Sequence, residues 1–222
     1  MSGTYWRGAA EDEAMQDEHG FIWLAMLDTI TDDLRATKVL DVGCNRGGFL
    51  RLLADRCAIA AGYGYDPAAA AVDDARTLAG GRPLTFEAAE RLPPDWGSFD
   101  VAFSHEVLYL IRDLRGHATD VHRALRPGGS YFAVMGMHDR SPLMRRWHDE
   151  RAQELGLPPL YSIDGVVSDF EAAGFVSAVA NLRLGFVPTS AHRSNHSGDQ
   201  SILDLLHYYA RDKLLLRFTK PA

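Results

Sequence analysis

Apolar residues recur with two different periods. From residue 38, short apolar runs bounded by turn residues alternate with stretches of helical spacing. KVLDVG (38–43), AIAAGYGYD (58–66), residues 83–87, FDVAFS (99–104) and SYFAVMG (130–136) read as buried strands. Residues 47–57, a stretch opened by Pro67, and residues 113–125 read as helices, the last ending at Arg126-Pro127-Gly128-Gly129. This βαβ rhythm predicts an α/β fold, a Rossmann-like, mostly parallel sheet with helices on both faces. Ahead of it, Met15, His19, Ile22, Trp23, Met26, Leu27 and Ile30 predict an amphipathic helix over 11–35. In the last third, Ser141-Pro142 and Gly156 bracket one helix. Ser162 caps another, with Val166, Val167, Phe170 and Ala173 as its buried stripe and Gly174 at its exit. Segments 175–187 and 213–219 read as strands, separated by a polar loop and a helix over 201–210. They are expected to close the sheet edge as an antiparallel pair, the final strand running against the parallel set.

A chain of 222 residues suits one domain, 1–222. With 23 basic and 30 acidic residues the net charge is −7, so the diffuse basic footprint of a nucleic-acid binder is missing. Two cysteines, Cys44 and Cys57, allow neither a disulfide framework nor a four-thiolate zinc site. His192 and His196 lie four apart in the polar loop with no third ligand in view, so no metal is expected. The longest apolar run, FIWLAML (21–27), is far short of the roughly 20 residues that span a bilayer. The expectation is a cytoplasmic protein, monomer or homodimer, with a small-molecule partner and neither membrane nor nucleic acid.

Chemistry concentrates in VLDVGCNRGGFL (39–50), where a strand ends at Gly43 and turns through Cys44, Asn45 and Arg46 into a helix opening at Gly47. Small residues let a ligand lie against backbone, and helix N-terminal amides face whatever polar group sits there. Asp66 follows about twenty residues on, at the end of the next strand, where a carboxylate accepts both hydroxyls of a ribose. The pair indicates an adenosine-type nucleotide. Gly43, Asn45, Gly47 and Gly48 only half satisfy the dinucleotide fingerprint, and Asp41 sits inside the strand two residues before Gly43. No second glycine-rich loop follows the fourth strand, which weighs against an NAD-dependent oxidoreductase.

LDVGCNRGG resembles the first motif of class I S-adenosylmethionine-dependent methyltransferases. AAERLP (88–93), SFDVAFSHEVLYLIRD (98–113) and HRALRPGGSYFAVMG (122–136) resemble the later motifs in order and spacing. The resemblance spans about residues 38–136 and points to the small-molecule, ubiquinone-biosynthesis-like branch. It implies S-adenosylmethionine as cofactor. Asp41 stands as the motif's acid; Gly43, Cys44, Asn45 and Gly47 would form the loop against the methionine part. Asp66 would hold the ribose, Pro67 would flank the adenine, and Ala89 and Glu90 would line the adenine slot. Ser104 and His105 would lie near the sulfonium. Asn45 replaces the central glycine, and Ala88 stands where many relatives carry an acid.

Methyl transfer from sulfonium needs alignment more than an enzyme nucleophile. His105, Tyr109 and His138 are the candidate catalytic groups, each just past a strand end. Residues 1–30, 137–161 and 187–210 are expected to cap the pocket, with Trp6, Met137, Met144, Trp147, Leu160, Tyr161 and Phe186 as apolar lining. The expected reaction is O-methylation of a small molecule. N- or C-methylation, or S-adenosylmethionine binding without turnover, are the alternatives.

Overall fold

The computed structural model describes residues 9–136, 139–189 and 201–222. Seven strands form one sheet: β1 Lys38–Val42, β2 Ala61–Asp66, β3 Leu84–Ala88, β4 Phe99–His105, β5 Leu125–Gly136, β6 Val176–Asn181 and β7 Lys213–Thr219. Their order is β3-β2-β1-β4-β5-β7-β6. β1 to β5 pair in parallel, whereas β7 runs antiparallel to both neighbours, β5 and β6. The expected Rossmann-like α/β sheet, with its antiparallel final strand, is therefore present. Among the described residues seven α-helices accompany it: α1 Ala9–Thr29, α2 Gly48–Cys57, α3 Ala69–Leu78, α4 Leu114–Ala124, α5 Pro142–Leu155, α6 Ile163–Ala172 and α7 Ile202–His207.

Because successive strand residues point to opposite faces, each strand feeds two cores. Val39, Val101, Phe103, Phe132, Val134 and Leu215 pack under α1 and α2. Leu40, Val42, Ala102, Tyr131, Ala133 and Phe218 pack under α4 and α6. This parity assigns every polar residue on the sheet to a face. Asp41, His105 and Lys213 fall on the α1 face; Ser104 falls on the other.

Several boundaries differ from expectation, each for a local reason. α1 stops at Thr29 rather than 35, and just beyond it the Asp33 carboxylate accepts from the Arg35 N–H at 2.9 Å, a turn that competes with helix. β2 starts at Ala61, because Ala58 closes α2 in the left-handed region at φ 49°. α3 begins at Ala69, two residues past Pro67, so the proline precedes the helix and does not open it. β5 reaches back to Leu125: Phe99 pairs with Leu125 and Val101 with Ser130, so residues 126–129 bulge out of an otherwise continuous strand. β6 ends at Asn181, and the apolar stretch beyond it is irregular, with Leu182 buried. A π-helical turn, Tyr208–Asp212, links α7 to β7.

On the α4 face the Phe170 and Phe218 rings stack with centroids 3.9 Å apart, joining α6 to β7. Both are fully buried. Phe170→Ala should lower the unfolding free energy by about 3–5 kcal/mol in urea titrations; a loss under about 1 kcal/mol would mean that this helix is not docked as described.

Candidate active site

The loop after β1 carries three positive φ angles, at Gly43 (73°), Asn45 (45°) and Gly47 (69°). Two of these positions also lack room for a side chain. A Cβ on Gly43 would lie 2.5 Å from Val107, and one on Gly47 would lie 2.5 Å from Phe86. Asn tolerates the left-handed region better than most residues, which is how Asn45 replaces a glycine without losing the turn. The Gly43 and Cys44 N–H groups donate to the Tyr65 carbonyl at 2.9 and 3.1 Å. The Asn45 N–H donates to Asp66 Oδ2 at 3.0 Å and the Ala68 N–H to Oδ1 at 2.9 Å. The Asp66 carboxylate is thus turned onto the loop that Gly43 opens. Cys44 is buried against Gly64, where a Cβ would come within 2.6 Å of the Cys44 Cβ. Burial pushes its thiol well up, which disfavours the thiolate.

Asp41 is 5 % exposed on β1 and accepts no hydrogen bond among the described residues. Burial first, then repulsion from Asp66, holds its carboxyl well above the usual carboxylate range. Two acids beside one loop form a site suited to positive charge. A sulfonium carrying an ammonium group and a ribose diol fits that donor set; an anionic dinucleotide phosphate does not.

The remaining sequence candidates separate. The half-buried Ala89 donates its N–H to the Asp66 carbonyl at 3.0 Å, while Pro67 and Glu90 are exposed. Ser104 does not reach the cleft. It is fully buried on the α4 face, where the Tyr131 hydroxyl donates to its Oγ at 2.7 Å and His117 Nε2 lies 3.2 Å from that hydroxyl. The reason is strand parity: Ser104 and His105 cannot both face one side. His105 takes the α1 side, where the Trp23 indole N–H donates to its Nδ1 at 3.3 Å. Tyr109 meets Trp147 of α5 edge-on at 5.7 Å, forming an aromatic wall. Tyr161, expected as lining, instead bonds the Ile111 carbonyl at 2.8 Å, and Phe186 is fully exposed. His138, Met137, Trp6, His192 and His196 lie outside the described residues.

Sequence reasoning missed three polar residues here. His19 meets His105 edge-on at 4.5 Å. Lys213, 3 % exposed, sits with Nζ 3.3 Å from Glu106 Oε1 and over the rings of Tyr208 and Tyr209. The signal was present in part: Lys213 opens an apolar strand on the same parity as buried Leu215, which no solvated lysine requires.

Comparison with known proteins fits this geometry. The methyltransferase domain family model matches residues 40–133. The match spans β1 to most of β5 and includes the loop that Gly43 opens.

Residues 40–133 are similar to the methyltransferase domain family.

The ubiquinone biosynthesis O-methyltransferase of Idiomarina loihiensis is 32% identical over 125 residues, 54% of this chain and 51% of that one. The chain thus spans about half the length of this curated relative. A chain from the complex between the Haloferax volcanii Trm112 methyltransferase activator and a methyltransferase superposes with a TM-score of 0.82 at 22% identity, covering 96% and 95% of the two chains. Geranyl diphosphate C-methyltransferase from Streptomyces coelicolor, solved with S-adenosyl-L-homocysteine, gives 0.70 at 14% identity over 98% and 86%. These structures share the fold of the methyltransferase domain and extend it over nearly the whole chain.

In this domain Asp41 opposes stability to binding. The unfolded chain loses the Asp41 proton at about pH 4, while the folded chain holds it to higher pH. Between the two values the folded state binds more protons, so stability falls as pH rises. Asp41→Asn should therefore melt higher than the parent at pH 7.5, by about 2–4 °C for each kcal/mol relieved. The gain should vanish at or below about pH 4, and S-adenosylmethionine affinity should drop. Differential scanning fluorimetry across pH checks this; a variant melting lower at pH 7.5 contradicts it.

Proposed function

We propose that this protein transfers the methyl group of S-adenosylmethionine to a hydroxyl of a small organic acceptor. The single observation that supports this most is the Asp66 carboxylate, pinned by two backbone N–H groups onto the turn that Gly43 opens, with Asp41 beside it. Asp66 would accept the ribose hydroxyls. Gly43, Cys44, Asn45 and Gly47 would pass under the methionine part, and Asp41 would face its positive charge. Pro67, Ala89 and Glu90 would flank the adenine. The bound cofactor supplies an activated methyl on a cationic sulfur; the chain's own task is to align an acceptor with it and exclude water.

The acceptor side is walled by Trp23, Phe49, Tyr109 and Trp147, with α1 and α5 as the described part of a cap over the strand ends. Such a wall suits a compact, largely apolar molecule. Oxygen as the acceptor atom follows the name of the Idiomarina relative; the Streptomyces neighbour, which methylates carbon by its name, supports the C-methylation alternative. Among the described residues no group of three His, Cys, Asp or Glu could hold a metal ion. Nor is any described helix long and apolar enough to cross a membrane. The Haloferax neighbour, found with an activator, supports a second reading in which a protein partner modulates this chain.

Asp66→Ala should weaken S-adenosylmethionine binding by at least about 100-fold, the cost of losing two charge-assisted hydrogen bonds. Because Asp66 also holds the loop, Asp66→Asn serves as the partial variant and a melting curve confirms that each folds. Titration calorimetry showing unchanged affinity in Asp66→Ala refutes the ribose assignment.

A further inference from the structure

The sheet has two edges, β3 and β6, and the chain treats them differently. At β3 the Arg76 guanidinium donates from Nε to the Phe86 carbonyl at 3.0 Å, and the strand carries an exposed Glu87. A covered carbonyl and a charge both discourage an edge from pairing. β6 has neither. Its six residues, VSAVAN, include no charge, no proline and no glycine.

The Lys220 N–H donates to the Gly129 carbonyl at 2.9 Å, so β7 turns the backbone of its even-numbered residues to β5 and that of its odd-numbered residues to β6. Thr219, Arg217 and Leu215 lie opposite Val176, Ala178 and Ala180. The N–H and C=O groups of Ser177, Val179 and Asn181 therefore point away from the sheet, and none is hydrogen-bonded among the described residues. The side chains beside them are bare as well, Val176 being 63 % and Val179 59 % exposed.

A row of free donors and acceptors on a neutral strand is a template for another strand. The flanks select the occupant. Gly174, just before β6, donates its N–H to the Glu171 carbonyl at 2.9 Å, and Arg183 follows β6 with its N–H held by Thr29 Oγ1 at 3.0 Å. Glu171 and Arg183 are both exposed, and neither side chain has an ion-pair or hydrogen-bond partner among the described residues. β6 thus starts beside an acid and ends beside a base. A second copy laid antiparallel sets each acidic end against the other's basic end, whereas a parallel copy sets like against like. The chain carries a net charge of −7, and on this neutral strand two copies meet without facing like charges.

We propose that two copies of this chain join β6 to β6, antiparallel, into one continuous sheet across a two-fold axis at Val179. In that register Val179 faces its own counterpart and Ser177 faces Asn181, so the free N–H and C=O groups of all three residues pair. The Val179 side chains meet on the α4 face, the side of the β7 neighbour Leu216. Such β-branched cross-strand pairs are favourable. Pairing at this edge is independent of methyl transfer.

Sedimentation velocity on the full chain should give a mass that moves towards twice that of one chain as concentration rises. Amide hydrogen exchange at Ser177, Val179 and Asn181 should slow over the same range. Val179→Pro removes an outward donor that no bond inside the chain uses, and should weaken the dimer about 10- to 100-fold. Val179→Lys, which sets two like charges opposite each other, should weaken it too. Melting curves show that each variant is folded. Arg183→Glu and Glu171→Arg should each loosen the dimer, and the two together should restore it. A chain that stays monomeric at every concentration leaves the edge to another protein's strand and overturns the proposal. Exchange at those amides that ignores concentration, a dimer that both Val179 variants leave intact, or a double charge reversal no tighter than the single ones overturns it as well.

Discussion

The hydrogen bond from the Asn45 N–H to the Asp66 carboxylate ties the end of β2 to the turn after β1. Everything at the strand ends depends on that tie. It holds a loop with three left-handed residues in one shape, it fixes the carboxylate's edge, and it brings a second acid within reach of Asp41. A carboxylate facing backbone N–H groups is a strong acceptor, so the loop and the acid organise each other. The positive φ angles that the turn needs are supplied at low steric cost by two glycines and an asparagine.

Electrostatics at this edge run against stability. Asp41 is buried beside a second acid, and both its burial and that repulsion disfavour its charge. Lys213 is buried beside Glu106 and over two tyrosine rings. Such groups persist where a ligand uses them. The acids lie at the ends of β1 and β2, where they suit a cation, and the imidazole and lysine lie between α1, β4 and β7.

Strand parity explains what was legible in the sequence. The loop and Asp66 lie within one βαβ unit, about twenty residues apart, so spacing alone exposed them. Ser104 and His105 were both expected in the site, yet a strand turns neighbours to opposite faces, and Tyr131 claims Ser104 for the core. His19 and Lys213 meet His105 from the two ends of the chain, and no local spacing predicts such a meeting. The α1 boundary was overextended because apolar period continued past Thr29 while the Asp33 side chain took over the backbone. β6 was overextended because an apolar run can be buried without pairing, as Leu182 is.

The central claim is that one adenosyl-sulfonium molecule spans the Gly43 turn and the Asp66 carboxylate. A crystal structure with S-adenosylhomocysteine tests it most directly. The account predicts both ribose hydroxyls on Asp66, the product sulfur above Gly43, and the amino group on the Asp41 side. A ligand bound elsewhere, or one whose ribose leaves Asp66 untouched, contradicts it.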